Sequence, residues 1–391
     1  MNIGIDIRSL MTPHRTGVGQ YAFELLDALL QIDNDNNYFL FGNSAKDSLV
    51  NIPPWNLPNV HYVLSRWPNK LFNASIKLSQ RPKIDEIIRK KTKQKIDLFI
   101  SPNLNFIALN PNVKKVLVIH DLSFLFFPDF FRFKQRLWHW AINAKKSCQT
   151  ADLIITPSIS TKNDIIKHLK INEEKIKAIY PGISKKFLET SQNMAINNAQ
   201  DEFEKIVKQK YGLPDRFLLF LGTIEPRKNI SALVKAFEMC AGNIPSDIHL
   251  VIAGAPGWKN KKIFSTIKKS KSFGRIKFVG HVDEADKPTL YSLSSIFIYP
   301  SVYEGFGFPI LEAMATKVPV ITSNRSSLPE VAGDAAYFVN PNRPTLIMEG
   351  IKRVLNSSPL RNQLISQGTE QEKKFRWSNF AKQLLDYTKI I

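Results

Sequence analysis

The 391-residue chain contains only two cysteines, Cys148 and Cys240, which lie far apart and match no metal or redox spacing. This scarcity excludes a disulfide scaffold and predicts two buried thiols in a reducing compartment. No apolar run reaches about 18 residues, so the sequence predicts no membrane-spanning helix. The opening MNIGIDI lacks the regions of a signal peptide. We therefore expect a cytoplasmic protein, with peripheral contact to the inner face of the cytoplasmic membrane as a further hypothesis.

Acidic residues are also scarce, with 34 Asp+Glu against 54 Lys+Arg, for a net charge of +20. Residues 51–150 hold 17 basic and 5 acidic residues, a net of +12. Such an excess indicates an anionic partner, namely nucleic acid, an acidic membrane or a phosphorylated substrate. An equally weighted alternative is a generally basic surface with solvated lysines. No nucleic-acid-binding motif accompanies the charge, so we predict no nucleic acid partner.

Short apolar runs alternate with amphipathic stretches along the whole chain, and no solenoid-length repeat interrupts them. The length of these runs and their Val, Ile and Phe content are typical of parallel strands buried on both faces. We predict an α/β fold with two Rossmann-like domains. The thirteen predicted strands are NIGIDI, NYFLFG, VHYVL, DLFIS, KVLVIH, DLIITPS, IKAIYPG, RFLLFLGTI, HLVIAGA, IKFVGHV, SIFIYPS, VPVITS and AAYFV.

The domain boundary is predicted within the polar, helix-prone segment 183–214, after which a new strand follows a Gly-Leu-Pro turn. We assign residues 1–190 to an amino-terminal domain and 191–374 to a carboxyl-terminal domain. Residues 375–391 form a last amphipathic helix. Ligands of open α/β sheets bind at the carboxyl ends of strands, so the loops that follow strands are where functional residues are expected.

The first such loop, RSLMTPHRTGVGQ, places Gly17 and Gly19 before a helix predicted from Tyr21. Their backbone N–H groups could contact a phosphate or a sugar hydroxyl. With Ala22 they also match the dinucleotide pattern G-x-G-x-x-A, which makes a nicotinamide or flavin oxidoreductase a remote alternative. The second strand ends without the ribose-binding carboxylate that this pattern requires. A purely structural turn is the remaining interpretation.

The run VLVIHDLSF places His120 and Asp121 at another strand end. A neutral imidazole there can hydrogen-bond a substrate hydroxyl or a developing charge. The alternative is a structural histidine followed by Asp121 as a helix cap. We predict a functional His120 and leave Asp121 evenly divided between the two interpretations.

In LLFLGTIEPRKNISALVKAF a strand runs into Gly222, and Arg227 and Lys228 precede Asn229, a predicted N-cap for a helix from Ile230. An Arg fork and a Lys point charge at a helix N-terminus suit a diphosphate. Further along, FVGHVDE ends a strand at His281 and Val282, where Asp283 or a neighbour would cap a helix and the backbone could hold a base edge. His281 is as well explained by a structural role.

The segment EGFGFPILE follows the strand SIFIYPS, and a helix is predicted to start near Phe308 with Pro309 in its first turn. Glu304 then lies in the loop and Glu312 one turn inside the helix, so their roles should differ. Gly305 and Gly307, on either side of Phe306, let the backbone approach a ligand closely. Carboxylates accept hydrogen bonds from sugar hydroxyls, which predicts a nucleotide-sugar site.

Taken together, these motifs resemble the retaining glycosyltransferases of family 4, which have the GT-B fold of two Rossmann-like domains with a cleft between them. The resemblance covers nearly the whole chain. It rests on the TGVG loop, VIHDLSF, LGTIEPRKN, FVGHV, the Glu304-x7-Glu312 signature and the last helix with FRW. It implies that the last helix crosses back to the first domain.

The resemblance also implies roles for individual residues. Arg227 and Lys228 would stabilise the leaving diphosphate, Glu304 would contact the donor sugar, and Glu312 would hold the ribose. The remaining implied contacts are with the sugar and its phosphates (His120, Gly19 and residues 305–308) and with the base (residues 280–282). Transfer would retain configuration, without a covalent Glu304 intermediate, a metal or a cofactor.

The opening GIDIRSL and the run IHDLSFLFFPDFF look most like bacterial mannosyltransferases of surface-polysaccharide synthesis. The implied donor is GDP-mannose, with UDP-sugars and other deoxysugar donors as alternatives. The acceptor would be a saccharide or a lipid-linked saccharide on the first domain. There FLFFPDFFRFKQRLWHWAINAKK mixes aromatic and basic residues that could contact an anionic membrane, or could equally pack into the core.

Overall fold

The computed structural model describes residues 1–12, 16–45, 52, 54–193 and 198–391. Its internal contacts define two compact units. The first consists of Met1–Leu122, Phe133–Gly182 and Arg376–Ile391, and the second of Ser123–Arg132 and Ile183–Phe375. The sequence places the boundary after residue 190 and residues 123–132 in the first domain. In the structure the boundary follows Gly182, and that short segment belongs to the second unit.

The first unit contains a seven-stranded sheet in the order β3-β2-β1-β4-β5-β6-β7. Every neighbouring pair is parallel. Its apolar side chains are buried on both faces, as expected for a parallel sheet covered by helices. The strands are β1 (Asn2–Asp6), β2 (Asn37–Asn43), β3 (Val60–Ser65), β4 (Leu98–Ser101), β5 (Lys114–Val118), β6 (Leu153–Thr156) and β7 (Ile176–Ala178).

The second unit contains a six-stranded parallel sheet in the order β10-β9-β8-β11-β12-β13. Strand order reverses beside β8, which is the first strand of this unit. The strands are β8 (Arg216–Leu221), β9 (Ile248–Ala253), β10 (Ile276–Gly280), β11 (Ile296–Tyr299), β12 (Val320–Ser323) and β13 (Ala336–Val339). Both sheets confirm the predicted α/β class with two Rossmann-like domains.

Helices connect successive strands in both units. They are α1 (Gly17–Ile32), α2 (Asn69–Ser79), α3 (Ile84–Thr92), α4 (Ser123–Phe126), α5 (Phe133–Ile142), α6 (Ala144–Gln149), α7 (Ile159–Asp164), α8 (Lys185–Asn193), α9 (Asn198–Tyr211), α10 (Ile230–Cys240), α11 (Lys261–Lys269), α12 (Lys287–Ser292), α13 (Phe308–Ala315), α14 (Leu328–Ala332), α15 (Pro344–Asn356), α16 (Ser358–Glu372) and α17 (Trp377–Thr388). Across the described ranges, none of them is long and apolar enough to cross a membrane.

The last helix, α17, packs against α1 in the first unit, as the resemblance implied. The ring of Tyr21 meets Trp377 at 5.1 Å and Phe380 at 5.8 Å between centroids, both edge-on. A Cβ on Gly182 would lie 2.0 Å from the backbone nitrogen of Trp377. The backbone at Trp377 can therefore pack against residue 182 only because that residue has no side chain.

Both cysteines are buried and unpaired, which confirms the predicted thiols. Burial raises the pKa of Cys148 to about 12 and that of Cys240 to about 11. Thiols with such raised pKa values carry little thiolate at neutral pH and act as small apolar side chains.

Candidate active site

Three of the predicted catalytic residues come together in the second unit, beyond the carboxyl ends of the neighbouring strands β8 and β11. Lys228 Nζ donates to Glu304 Oε1 over 2.7 Å. A terminal guanidinium nitrogen of Arg227 lies 3.7 Å from Glu304 Oε2. Both Lys228 and Glu304 are buried, and the Arg227 side chain is largely covered. The parallel sheet brings these residues together because adjacent strands end at the same edge.

The two oxygens of Glu304 have different partners. Oε1 accepts from Lys228, from the Tyr299 hydroxyl at 3.0 Å, and from the Ser301 hydroxyl. Oε2 has the more distant Arg227 beside it. Burial alone would raise the pKa of Glu304, but Arg227 and Lys228, with hydrogen bonds from Lys228 and Ser301, lower the pKa to about 2. Glu304 is therefore an ionised carboxylate at neutral pH.

Glu225 is a buried residue of this cluster that the sequence analysis missed. Its Oε1 accepts from Arg227 Nε at 3.0 Å and lies 3.0 Å from a terminal nitrogen of the same guanidinium. Its Oε2 has no hydrogen-bond partner among the described residues. Two contacts to one guanidinium fix its plane, so Glu225 orients Arg227. Its place two residues before Arg227 in TIEPRKN was the available sequence signal.

The loop from Glu304 to Phe308 is held by two serines directly before α14, which were also missed in the sequence. The backbone N–H of Glu304 donates to Ser326 Oγ at 2.8 Å. The Ser327 hydroxyl lies 2.9 Å from the carbonyl of Glu304 and 2.7 Å from that of Phe306. Because this loop otherwise forms no ladder hydrogen bonds, the serines satisfy its buried backbone groups.

Helix α13 begins at Phe308 with Pro309 in its first turn, as predicted. Gly307 precedes it with φ of 116°, a conformation that favours glycine. A Cβ on Gly307 would also approach a Leu328 methyl to 2.7 Å. Gly305 and Phe306 are buried between the glutamate and this turn. The tight packing of the loop thus explains the second glycine of EGFGF.

Helix α10 begins at Ile230 as predicted, but Asn229 is not its side-chain cap. Asn229 has a left-handed backbone conformation, and its amide donates to the carbonyls of Pro300 and Pro341 at 3.2 and 2.7 Å. The side chain therefore ties the end of the Arg227–Lys228 segment to the loop after β11. This tertiary pairing outweighs the local capping preference of asparagine.

The ends of β8, β9 and β10 are joined through glycines. Gly222, predicted in the sequence, has φ of 156° and donates to the carbonyl of Ala253 at 3.0 Å. Gly254, which the sequence analysis did not select, has φ of 137° and donates to the carbonyl of Gly280 at 2.6 Å. A Cβ on Gly254 would lie 1.9 Å from the Gly222 carbonyl oxygen. The three strand ends can meet only without a side chain there.

Glu312 is half-buried on α13 and accepts a 2.7 Å hydrogen bond from the Tyr291 hydroxyl. Burial raises the pKa of Glu312 above its ordinary value, although Lys287 and the bond from Tyr291 act in the opposite direction. The environments of Glu304 and Glu312 thus shift their pKa values in opposite directions. This difference agrees with the expectation that the two carboxylates do not form an equivalent pair.

The loop after β10 exposes His281 and buries Val282. Asp283 does not cap a helix, since its carboxylate pairs with Lys210 at 2.7 Å and α12 begins only at Lys287. The Lys210 side chain bridges Asp283 and Asp286, and this bridge takes the acidic groups away from the helix start.

Among the described residues, no group of three His, Cys, Asp or Glu side chains could hold a metal ion.

The remaining predicted residues lie in the first unit. His120 Nε2 donates to the carbonyl of Pro102 at 2.8 Å, and the ring packs edge-on against Tyr21 at 4.5 Å. Burial lowers the pKa of His120, so its imidazole is neutral at physiological pH. Asp121 follows it and is half-buried. Because Nε2 donates to Pro102, the neutral ring carries its proton there, and Nδ1 is an acceptor.

The structure changes the interpretation of Gly17 and Gly19. Helix α1 begins at Gly17 rather than Tyr21, because Thr16 caps it. The N–H of Gly19 donates to Thr16 Oγ1 at 3.3 Å and is therefore already used. Gly17 is exposed, with open space around its α-carbon. A G-x-G-x-x-A run that lies inside the first turns of a helix also lacks the loop geometry of a dinucleotide site.

Two known protein families match consecutive regions of the chain. The pattern described as Glycosyltransferase Family 4 matches residues 15–187, and that of Glycosyl transferases group 1 matches residues 201–371. The chain is 28% identical over 385 residues to O-antigen chain mannosyltransferase B of Escherichia coli, covering 96% of both chains. Every residue of the Arg227, Lys228 and Glu304 cluster falls within the group 1 region.

Solved structures share the fold across almost the whole chain. Sucrose-phosphate synthase from Thermosynechococcus elongatus superposes with a TM-score of 0.74 at 19% identity, covering 99% of this chain and 98% of that one. WaaG, a glycosyltransferase involved in lipopolysaccharide biosynthesis, superposes with a TM-score of 0.70 at 15% identity, covering 98% and 99%. The chain belongs to the GT-B glycosyltransferases, with a family 4 amino-terminal region and a group 1 carboxyl-terminal region.

Proposed function

We propose that this glycosyltransferase is a retaining mannosyltransferase that moves mannose from GDP-mannose to a saccharide or lipid-linked saccharide in bacterial surface-polysaccharide synthesis. The observation that carries the proposal is the buried cluster of Arg227, Lys228 and Glu304. The mannosyl donor is supported by the similarity to O-antigen chain mannosyltransferase B over nearly its full length. The alternative is the same fold and mechanism with a UDP-sugar or a deoxysugar donor.

In this proposal Arg227 and Lys228 bind the donor diphosphate and stabilise it as it leaves. Two of the three ammonium hydrogens of Lys228 are used by Tyr299 and Glu304. The third can be donated to a phosphate oxygen. Because Glu225 and Glu304 hold both cations in place before a ligand arrives, little reorganisation is needed as negative charge develops. Two fixed cations can fill the charge-stabilising role of a metal, so we propose metal independence.

Glu304 is proposed to position the donor sugar through Oε2, since Oε1 is already occupied by three donors. The backbone of residues 305–308 would lie along the sugar and its phosphate. The acceptor would attack from the face that the diphosphate leaves, and a phosphate oxygen would take the acceptor proton. We propose that no covalent intermediate forms on Glu304, because Oε1 already accepts from three donors and Oε2 has Arg227 beside it.

The nucleoside would be held by Glu312 at the ribose and by the loop of residues 280–282 at the base, with Gly222 beside the phosphates. His120 and Asp121 are proposed to contact the donor sugar. We propose only a packing role for Gly19, because its N–H already donates to Thr16. Gly17 is the first residue of α1, and its backbone N–H is still proposed to contact a phosphate or a sugar hydroxyl.

Calorimetric titration with GDP and with UDP, in the presence of a chelator, tests the donor. We expect tighter binding of GDP, and transfer from GDP-mannose that persists in the chelator. Preference for UDP would replace the donor and keep the site, whereas failure to bind either nucleotide would overturn the proposal. The configuration of the new linkage, read by nuclear magnetic resonance, tests retention. An inverted product would contradict same-face attack.

Glu312→Gln tests the ribose contact through its pH dependence. In the wild type, GDP affinity should fall as the pH falls through the raised pKa of Glu312, because a protonated carboxyl cannot accept from both ribose hydroxyls. The variant should bind more weakly at neutral pH and show a flatter pH profile. Titrations at several pH values would measure both effects. Equal affinity and equal profiles in the two proteins would remove Glu312 from the site.

The same variant has an expected effect on stability of opposite sign. A carboxyl whose pKa is raised by folding destabilises the folded state above that pKa, and the cost disappears as the pH falls below its unfolded value. Glu312→Gln should therefore raise the free energy of unfolding at neutral pH, with the gain shrinking on acidification. This separates lost nucleotide affinity from lost folding.

A further inference from the structure

An exposed apolar stripe runs along α5 in the first unit. Phe133, Leu137 and Trp140 are spaced so that they share one helical face, and they are 77%, 51% and 74% exposed. The neighbouring helix α2 exposes Leu71 and Leu78 at the same seven-residue spacing, at 62% and 86%. We call these five side chains the α2–α5 face.

The two helices are joined at this face. Lys77 Nζ on α2 donates to the carbonyl of Ala141 at 2.6 Å, and the same ammonium lies 5.7 Å from the centre of the Trp140 ring. Trp138, by contrast, turns toward Phe106, with ring centroids 6.3 Å apart. Trp140 is thus held outward beside a cation, and the sequence prediction that these aromatic residues could pack into the core does not hold for Phe133 and Trp140.

The charged side chains of the helices that carry the α2–α5 face, and of α6 after them, all have one sign. No acidic residue occurs from His61 to Ile84 or from Phe130 to Ala151. Six basic residues occur in α2, α5 and α6, namely Lys70, Lys77, Lys134, Arg136, Lys145 and Lys146. Exposed Leu, Phe and Trp on helices whose own charged side chains are all basic match the interface of an anionic bilayer, where aromatic rings lie at headgroup level and basic side chains contact lipid phosphates.

We propose that the α2–α5 face docks this protein onto an anionic lipid bilayer. A second copy of the chain is a poorer occupant, because two such faces would oppose like charges. Nucleic acid is a poorer one too, because the three exposed leucines offer neither stacking nor hydrogen bonds to bases. The proposal concerns only the first unit and does not depend on which sugar donor is used.

The test is flotation of the full chain with phosphatidylcholine vesicles and with vesicles that also contain phosphatidylglycerol. We expect binding to the anionic vesicles alone, decreasing with added salt. Phe133→Ala/Trp140→Ala should lower the partition coefficient by about tenfold or more, because two apolar side chains no longer enter the interface. Lys134→Glu/Arg136→Glu should lower it by at least about 25-fold, at about fivefold for each lost cation.

The matched control is Lys90→Glu/Lys93→Glu at the end of α3, which changes the net charge equally. The apolar side chains of α3 are buried or half-buried, so this pair should cost less binding than the α5 pair. Vesicle binding that survives Phe133→Ala/Trp140→Ala would overturn the proposal, as would equal or greater loss in the α3 control. A dimer that forms without lipid and dissociates in the same apolar variant would assign the face to a second copy instead. All substituted side chains are exposed, so thermal unfolding should be unchanged.

Discussion

Lys228→Met is expected to lower kcat/KM for glycosyl transfer by about 10²–10³-fold, the usual effect of removing one preorganised donor to a developing anion. The variant keeps the length of the side chain but loses the ammonium that contacts Glu304 and Tyr299. Steady-state transfer kinetics measure the change. A matched control is Lys373→Met, which removes an exposed lysine paired with the exposed Glu370.

The same substitution should also destabilise the fold, because it leaves the buried Glu304 carboxylate without its nearest cation. Breaking a buried pair typically costs about 3–5 kcal/mol, against about 0–1 kcal/mol for an exposed pair such as that of Lys373. The double variant Lys228→Met/Glu304→Gln removes the unpaired charge. It should recover much of the lost free energy of unfolding while remaining inactive.

Transfer kinetics and the free energy of unfolding, measured on the same variants, separate an effect on catalysis from an effect on folding. If the double variant regains stability and transfer together, the cluster is a structural ion pair and the proposed site is wrong. If Lys228→Met retains nearly full kcat/KM, the diphosphate is stabilised elsewhere. Activity must be compared at a temperature at which each variant is folded, which denaturant titration establishes.

Gly254→Ala is expected to reduce the free energy of unfolding by about 4 kcal/mol or more, in the range reserved for severe substitutions. The new Cβ would lie 1.9 Å from the carbonyl oxygen of Gly222 and 2.7 Å from its carbonyl carbon. Neither atom belongs to a side chain that could rotate away. The positive φ of 137° adds backbone strain.

The matched control is Gly274→Ala, because a Cβ there would meet no atom within 4 Å. Denaturant unfolding of the two variants measures the difference, and we expect the control to remain close to the wild type. Nucleotide titration is a second readout, since Gly254 joins the β8 end at Gly222 to the β10 end at Gly280. A Gly254→Ala protein with wild-type stability would mean that the three strand ends do not meet as described.

The sequence predicted the strands well because each is short, apolar and bounded by polar residues. All thirteen predicted strands occur, and their ends lie within four residues of the expected ones. Helix starts were less certain, because a single cap decides them. Thr16 moves the start of α1 to Gly17, and that shift alone changes what Gly19 can bind.

The site was predictable where strand topology dictates it. Arg227, Lys228 and Glu304 meet because β8 and β11 are neighbours whose loops leave the same edge. Glu225 escaped notice because its role depends on a side-chain pairing with Arg227, and Gly254 because its role depends on the Gly222 backbone opposite it. Sequence periodicity encodes neither contact. The aromatic run FLFFPDFFRFKQRLWHWAINAKK was likewise predicted as one surface. In the structure Phe131 stacks on Trp258 in the second unit, whereas Phe133 is the first residue of the exposed apolar stripe in the first unit.

The return of α17 to the first unit affects the order of events during synthesis. Tyr21, near the start of the chain, packs against Trp377 and Phe380. At about 5–20 residues per second, the ribosome needs about 10–40 seconds to travel from residue 182 to residue 377. Throughout that interval the nascent first unit leaves the α1 surface around Tyr21 uncovered. The first unit, although translated first, is thus the last to complete its core.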